Sequence, residues 1–202
     1  MNLGELQLDA LREVANIGAG HAATALSELT GRTIMVDVPD VRVVRLEDVG
    51  ALVGDPEEVV SAVIVKLEGG FTGRTLQIMP GPTAARLTAM VVGGPEPAFP
   101  DDFGQLQRSA LEEIGNILVG AYLNALAQFV GLDLRMSVPA IAIDMAAAVL
   151  TTSYINFGTI EDHVFCVNTR LGVEKTGDLP SHFLLIPDDD SLAAILRALG
   201  IA

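Results

Sequence analysis

"DALREVANIGAGHAATALSELTGRTIMVDVP" occupies residues 9–39, and "SALEEIGNILVGAYLNALAQFVGLDLRMSVP" occupies residues 109–139. Laid on each other at an offset of 100, the two stretches agree at eleven of 31 positions without a gap. Ala10, Leu11, Glu13, Asn16, Ile17, Gly20, Ala25, Leu26, Gly31, Val38 and Pro39 match their partners. Chance would give roughly two such matches, so the chain carries an internal repeat. The later parts of the copies agree in pattern more than in identity. "LQIMPGPTAARLTAMVVG" (76–93) and "LLIPDDDSLAAILRALG" (184–200) each read as a strand end, a turn and a short amphipathic helix. Between the copies, "GGPEPAFPDDFG" (93–104) is rich in Pro and Gly, which marks a linker.

Each copy predicts the same order of elements. A long helix comes first, over about 5–30 and 105–130, and stops at Gly31 and Gly131. A strand follows over 33–38 and 133–138, and Pro39 or Pro139 interrupts it. A second extended stretch ("VRVVRL", "AIAID") leads into a short helical piece. Then comes a hairpin, "VVSAVIVKLEGG" into "FTGRTLQIM" and "DHVFCVNTRLG" into "SHFLLI", and a last helix. The expectation is an α+β fold in which a pseudo-twofold duplication forms one sheet covered by helices. It is read as a single domain over 1–202, made of repeat 1 (about 5–93) and repeat 2 (about 105–202), joined by the linker 94–104.

On a helical wheel, Leu11, Val14, Ala15, Gly18, Ala22, Ala25, Leu26 and Leu29 make an apolar stripe suited to lie on a sheet. The second copy offers Leu111, Ile114, Gly115, Leu118, Tyr122, Ala125, Leu126 and Phe129. Asp9, Glu13, Asn16 and Gly20 fall within about 60° of one another on a different face. Ser109, Glu113, Asn116 and Gly120 repeat that line. A solvated helix face is the plain reading of one Glu-x-x-Asn. Here neighbouring positions have diverged between the copies (Arg12/Glu112, His21/Ala121, Glu28/Gln128), whereas Glu13 and Asn16 have not. A terminating glycine lets another surface come close.

This equipment limits the chemistry. No nucleophile sits beside a base, and no metal-ligand spacing occurs. A carboxylate can pair with a cation, and an amide can orient a water. Positioning one water contributes about 10²-fold, roughly 2.7 kcal/mol. That suits a bond already labile, with metal and charge stabilisation supplied by the partner.

The duplicated Asp/Ser-x-x-x-Glu-x-x-Asn, with Pro39 and Pro139 at one fixed distance beyond Asn16 and Asn116, resembles the CheC family of chemotaxis phosphatases. "ANIGAGHAATAL" and "GNILVGAYLNAL" are similar to its signatures, and the resemblance covers nearly the whole chain. It implies a CheC-like fold and removal of the phosphoryl group from the aspartate of the response regulator CheY. It implies that Asn16 and Asn116 orient the attacking water and that Glu13 and Glu113 pair with a lysine of the regulator. Asp9, Gly20, Pro39, Ser109, Gly120 and Pro139 would then support docking. No cofactor of its own is implied; Mg2+ belongs to the regulator's active site. CheD is a further implied partner, and CheX and FliY are implied relatives. Both motifs are intact, so two working sites are expected. His21 stands where many relatives carry Asn, with little effect expected.

Composition sets the other bounds. Half the residues are hydrophobic and mean hydropathy is +0.45, yet no apolar run approaches the roughly 18 residues of a membrane span. The acidic first residues do not read as a signal peptide, and the expected location is cytoplasmic. Net charge −14 and the absence of Trp argue against nucleic acid and anionic membranes. Cys166, the single cysteine, excludes an internal disulfide and reads as a core thiol. "GAGHAA" (18–23) lies inside a helix pattern and does not read as a dinucleotide loop. "GGFTGRT" (69–75) reads as a hairpin turn, and "DDD" (188–190) as the cap of the last helix. His21, His163 and His182 share no ligand spacing.

Other readings remain. A binding module could sequester phosphorylated CheY or CheD without turnover, or serve as a flagellar switch adaptor. Against the adaptor stands the expectation of no further domain after Ala202 and no regulator-binding tail before the first helix. A third reading is a structural dimer that keeps the helix face for assembly.

Overall fold

The computed structural model describes residues 4–155, 163–173 and 177–200. The long helices are α1 (Glu5–Thr30) and α4 (Gln105–Val130), at the boundaries the periodicity predicts. Both end on glycines in the left-handed region, Gly31 at φ 64° and Gly131 at φ 70°, a conformation that suits a residue without Cβ. The remaining helices are α2 (Gly50–Val53), α3 (Gly81–Val92), α5 (Ala146–Ile155) and α6 (Asp189–Ala198).

Seven strands make one antiparallel sheet: β1 (Ile34–Arg45), β2 (Val59–Gly69), β3 (Gly73–Pro80), β4 (Leu134–Met136), β5 (Ala140–Met145), β6 (His163–Val173) and β7 (Gly177–Pro187). Their order is β1-β6-β7-β3-β2-β4, with β5 also paired to β2. The two hairpins, β2–β3 and β6–β7, meet at the centre through β3 and β7. There Leu76 pairs with Leu184, the matching residue of the other copy, which places the pseudo-twofold axis. The outer strands cross over. β1 of the first copy pairs with β6 of the second, and β4 and β5 of the second pair with β2 of the first. Each copy's edge strand therefore completes the other copy's hairpin, so the copies fold around each other.

Helices cover both faces. On one side α1, α3, α4 and α6 bury a large core with Val63, Val65, Phe165, Leu171 and Leu185 of the sheet. On the other, the turn at Leu46–Asp48, α2 and α5 bury a smaller one over Val60, Leu76, Val164, Cys166 and Leu184. The predicted apolar stripes hold: seven of the eight positions in α4 are buried, and Phe129 is half-buried.

Two local expectations need correction. Pro39 does not interrupt its strand: β1 runs on, through a register shift between Asp37 and Asp40. An edge strand pairs on one side only, so a missing N–H is tolerated at such an irregularity. Pro139 does coincide with a break. Just before it, the Ser137 N–H donates to the Lys66 carbonyl (2.9 Å) and the Ser137 hydroxyl accepts from the Lys66 N–H (3.0 Å). A side chain thus takes a ladder position there. At α6, Asp188 occupies the N-cap position, but its carboxylate makes no cap bond. Asp189 and Asp190 in the first turn complement the helix dipole instead.

Candidate functional site

The two helices cross tightly. A Cβ on Gly18 would lie 2.7 Å from Tyr122 Cδ1 and 3.2 Å from the Ala121 carbonyl. At 100° per residue, Asp9, Glu13, Asn16 and Gly20 all fall within about 40° of the direction opposite Gly18. Ser109, Glu113, Asn116 and Gly120 fall within about 60° of the direction opposite Tyr122. The two lines therefore face away from each other, on opposite flanks of the helix pair.

The first line is open. Asp9, Glu13, Asn16 and Gly20 are exposed, and nothing lies within 4 Å of a Cβ built on Gly20. Asp9 is held by Arg12 at 2.8 Å. Pro39 is exposed on β1. The second line is partly covered. Ser109 and Glu113 are exposed, Asn116 and Pro139 are half-buried, and Gly120 is buried. A Cβ on Gly120 would touch Met136 Cε at 3.6 Å, so the surface that approaches this glycine is the chain's own β4. Among the described residues, no hydrogen bond or ion pair holds Glu13, Asn16, Glu113 or Asn116. Two carboxylate–amide pairs thus stand on rigid helices with their bonding capacity unspent inside the fold, and each can meet a cation and a water from outside.

The other singled-out residues lie elsewhere. His21 is exposed on α1, and "GAGHAA" is inside that helix. His182 Nδ1 bonds Asn168 Oδ1 at 2.8 Å, and Asn168 Nδ2 donates to Asp40 Oδ2 at 3.2 Å, on the sheet face away from α1. Burial lowers the His182 pKa. Cys166 is buried, which pushes its thiol up to about 12, with smaller opposing effects of Arg42 and Asp40. "GGFTGRT" makes the β2–β3 turn.

Matching pairs upstream of residue 9 escaped the sequence reading. Gly4, Leu6 and Gln7 match Gly104, Leu106 and Gln107 at the same offset of 100. The repeat reaches back to the N-cap glycines of both long helices, Gly4 and Gly104. Leu6 is 86% exposed and Leu106 62% exposed.

Fold and site together define a pseudo-symmetric α+β structure with a helical carboxylate–amide motif open on one flank and partly covered on the other. The architecture is shared with the crystal structure of Thermotoga maritima FliY (TM-score 0.80, 22% identity, 99% of this chain and 98% of that one). It is shared too with the FliM middle domain from H. pylori (TM-score 0.71, 10% identity, 99% and 100%). Residues 6–43 and 106–143 match the CheC-like family. Over 199 residues the chain is 35% identical to the CheY-P phosphatase CheC of Bacillus subtilis (strain 168), covering 97% of this chain and 95% of that protein. The chain belongs to the CheC family, and likeness along 95% of such an enzyme supports a phosphatase of the chemotaxis type. Among the described residues no helix is long and apolar enough to cross a membrane.

Proposed function

We propose that the chain hydrolyses the aspartyl phosphate of a CheY-type response regulator at two sites, one on α1 and one on α4. Asn16 and Asn116 orient the attacking water through their amides. Glu13 and Glu113 pair with a cationic side chain of the regulator and fix the helix in register. Mg2+ held in the regulator's own active site would supply charge neutralisation at the phosphoryl oxygens. An acyl phosphate is already activated, so positioning of water is the contribution required of this chain.

One observation carries the reading: the same carboxylate–amide pair is repeated on two helices, exposed on α1 and partly exposed on α4, with no internal hydrogen bond or ion pair among the described residues. The likeness to a CheY-P phosphatase along nearly the whole chain supports the choice of substrate. The test is phosphate release from phosphorylated CheY with this chain at catalytic ratios. The expected result is acceleration through many turnovers, lost in the double variant Asn16→Ala/Asn116→Ala. Unchanged release by that variant would overturn the mechanism.

A further inference from the structure

The matched residues at the helix starts fall into two kinds. Gln7 is engaged within the fold, where its Oε1 accepts the Gly4 N–H at 2.6 Å and closes the start of α1. Gln107 lies beside Gly104, with its Oε1 3.4 Å from where a Cβ on that glycine would stand. Leu6 and Leu106 have no such internal role, because both stand in solvent. Single exposed leucines are ordinary. Retention in both copies is not, since the nearby pairs Leu8/Arg108 and Asp9/Ser109 have diverged.

Helix geometry joins these leucines to the proposed sites. Leu6, Glu13 and Ile17 fall within about 40° of one another on α1. At about 1.5 Å per residue, Leu6 lies about 10 Å before Glu13 and about 16 Å before Ile17. Ile17 is 44% exposed and is matched by Ile117. The line therefore reads apolar, acidic, apolar, with the Asn16 amide about 60° to one side of Glu13.

We propose that Leu6 and Leu106 are apolar anchors by which each face grips the phosphorylated regulator and sets its asparagine over the acyl phosphate. This rests on the phosphatase reading. The occupant is a folded phosphoprotein that presents an apolar side chain on one side of a basic group and the acyl phosphate on the other. Continuity with the Glu13–Asn16 face argues for this partner. Charge argues against a second copy of the chain: at net charge −14, a self-contact would set the carboxylates of Asp9 and Glu13 against their own images.

The test uses the full chain and CheY of Bacillus subtilis, phosphorylated in solution with acetyl phosphate. The double variant Leu6→Ala/Leu106→Ala keeps a good helix former at exposed positions, so Tm stays put. KM for the phosphorylated regulator should rise on the order of tenfold with kcat unchanged, and Leu6→Met/Leu106→Met should restore it. An unchanged KM, while the unaltered chain turns over, overturns the anchor role and leaves the phosphatase standing. A changed mass in light scattering with an unchanged KM also overturns it, because the leucines then join copies of the chain. No turnover by the unaltered chain overturns the phosphatase reading and this inference with it.

Discussion

The two copies share one plan and differ most where the long helix meets the sheet. In the second copy the helix lies down on the strands. Gly115 has no room for a Cβ because Val63 fills that space, and Leu111, Ile114 and Leu118 are fully buried. In the first copy Ala15 stands where Gly115 stands, and Phe165 stands where Val63 does. A cavity of about 40 Å³ remains there, among residues that include Leu11, Val14, Ala15, Phe165 and Ile195. The difference continues outward. On α4, Asn116 is half-buried and Gly120 lies under Met136, whereas on α1, Asn16 and Gly20 are in solvent. The copies thus differ on both sides of the long helix: by one methyl and one ring at the sheet contact, and by the cover of Met136 on the outer face.

Matched truncations test the packing difference most strongly. Leu111→Ala should cost toward the upper end of the range of about 2–5 kcal/mol for a buried leucine, because its surroundings are closed. Leu11→Ala, beside the existing cavity, loses fewer contacts and should fall toward the lower end. Urea unfolding of both variants checks this, and equal losses would break the comparison. Exchanging residues between the copies sharpens it. Gly115→Ala drives a methyl into Val63 and should cost about 1–3 kcal/mol. Val14→Ile gives the first copy the second copy's residue beside the cavity and should raise stability by about 0.5–1 kcal/mol. A loss from Val14→Ile would mean that the cavity cannot accept the added carbon.

Much of this was legible in the sequence, and the limits have physical causes. A fixed offset of 100 exposed the duplication, a period of 3.6 gave both long helices, and glycines at 31 and 131 gave their ends. The Glu-x-x-Asn lines fell on the non-core side as the wheel required. The exchange of edge strands was not legible, because pairing between strands far apart in the chain leaves no mark on local pattern. The two prolines were read alike although only Pro139 marks a break, since the difference lies in Ser137 and Lys66, remote in sequence. The cover over Gly120 was invisible for the same reason: Met136 reaches it only in the folded chain.

That cover predicts a difference in function. On the proposed mechanism an Asn16→Ala background leaves only the second site, and there Met136→Ala should lower KM for phosphorylated CheY about threefold, roughly 0.6 kcal/mol. In an Asn116→Ala background the same change should do nothing. Steady-state phosphate release separates the two cases. An equal effect in both backgrounds would show that Met136 acts on the fold and not on access to Asn116.

The smallest effect belongs to the opposite sheet face, where His182 and Arg74 occupy matching places on β7 and β3. Burial disfavours charge at both, and Asp188 opposes that effect only at Arg74. His182 meets the neutral amide of Asn168, whose own amide group is turned to Asp40. The sign follows from the folded pKa lying below the unfolded one. Above about pH 6.5 the imidazole is neutral in both states and contributes no pH dependence. As pH falls below that value the unfolded chain takes up the proton first, so stability drops. Arg74 is charged throughout this range in either state and adds no slope. Thermal unfolding between pH 7.5 and 5.5, settings chosen to bracket about pH 6.5, should therefore show a steeper fall in Tm for the unaltered chain than for His182→Gln. Parallel curves would mean that His182 keeps its proton affinity on folding, and that the Asp40–Asn168 pair compensates for its burial.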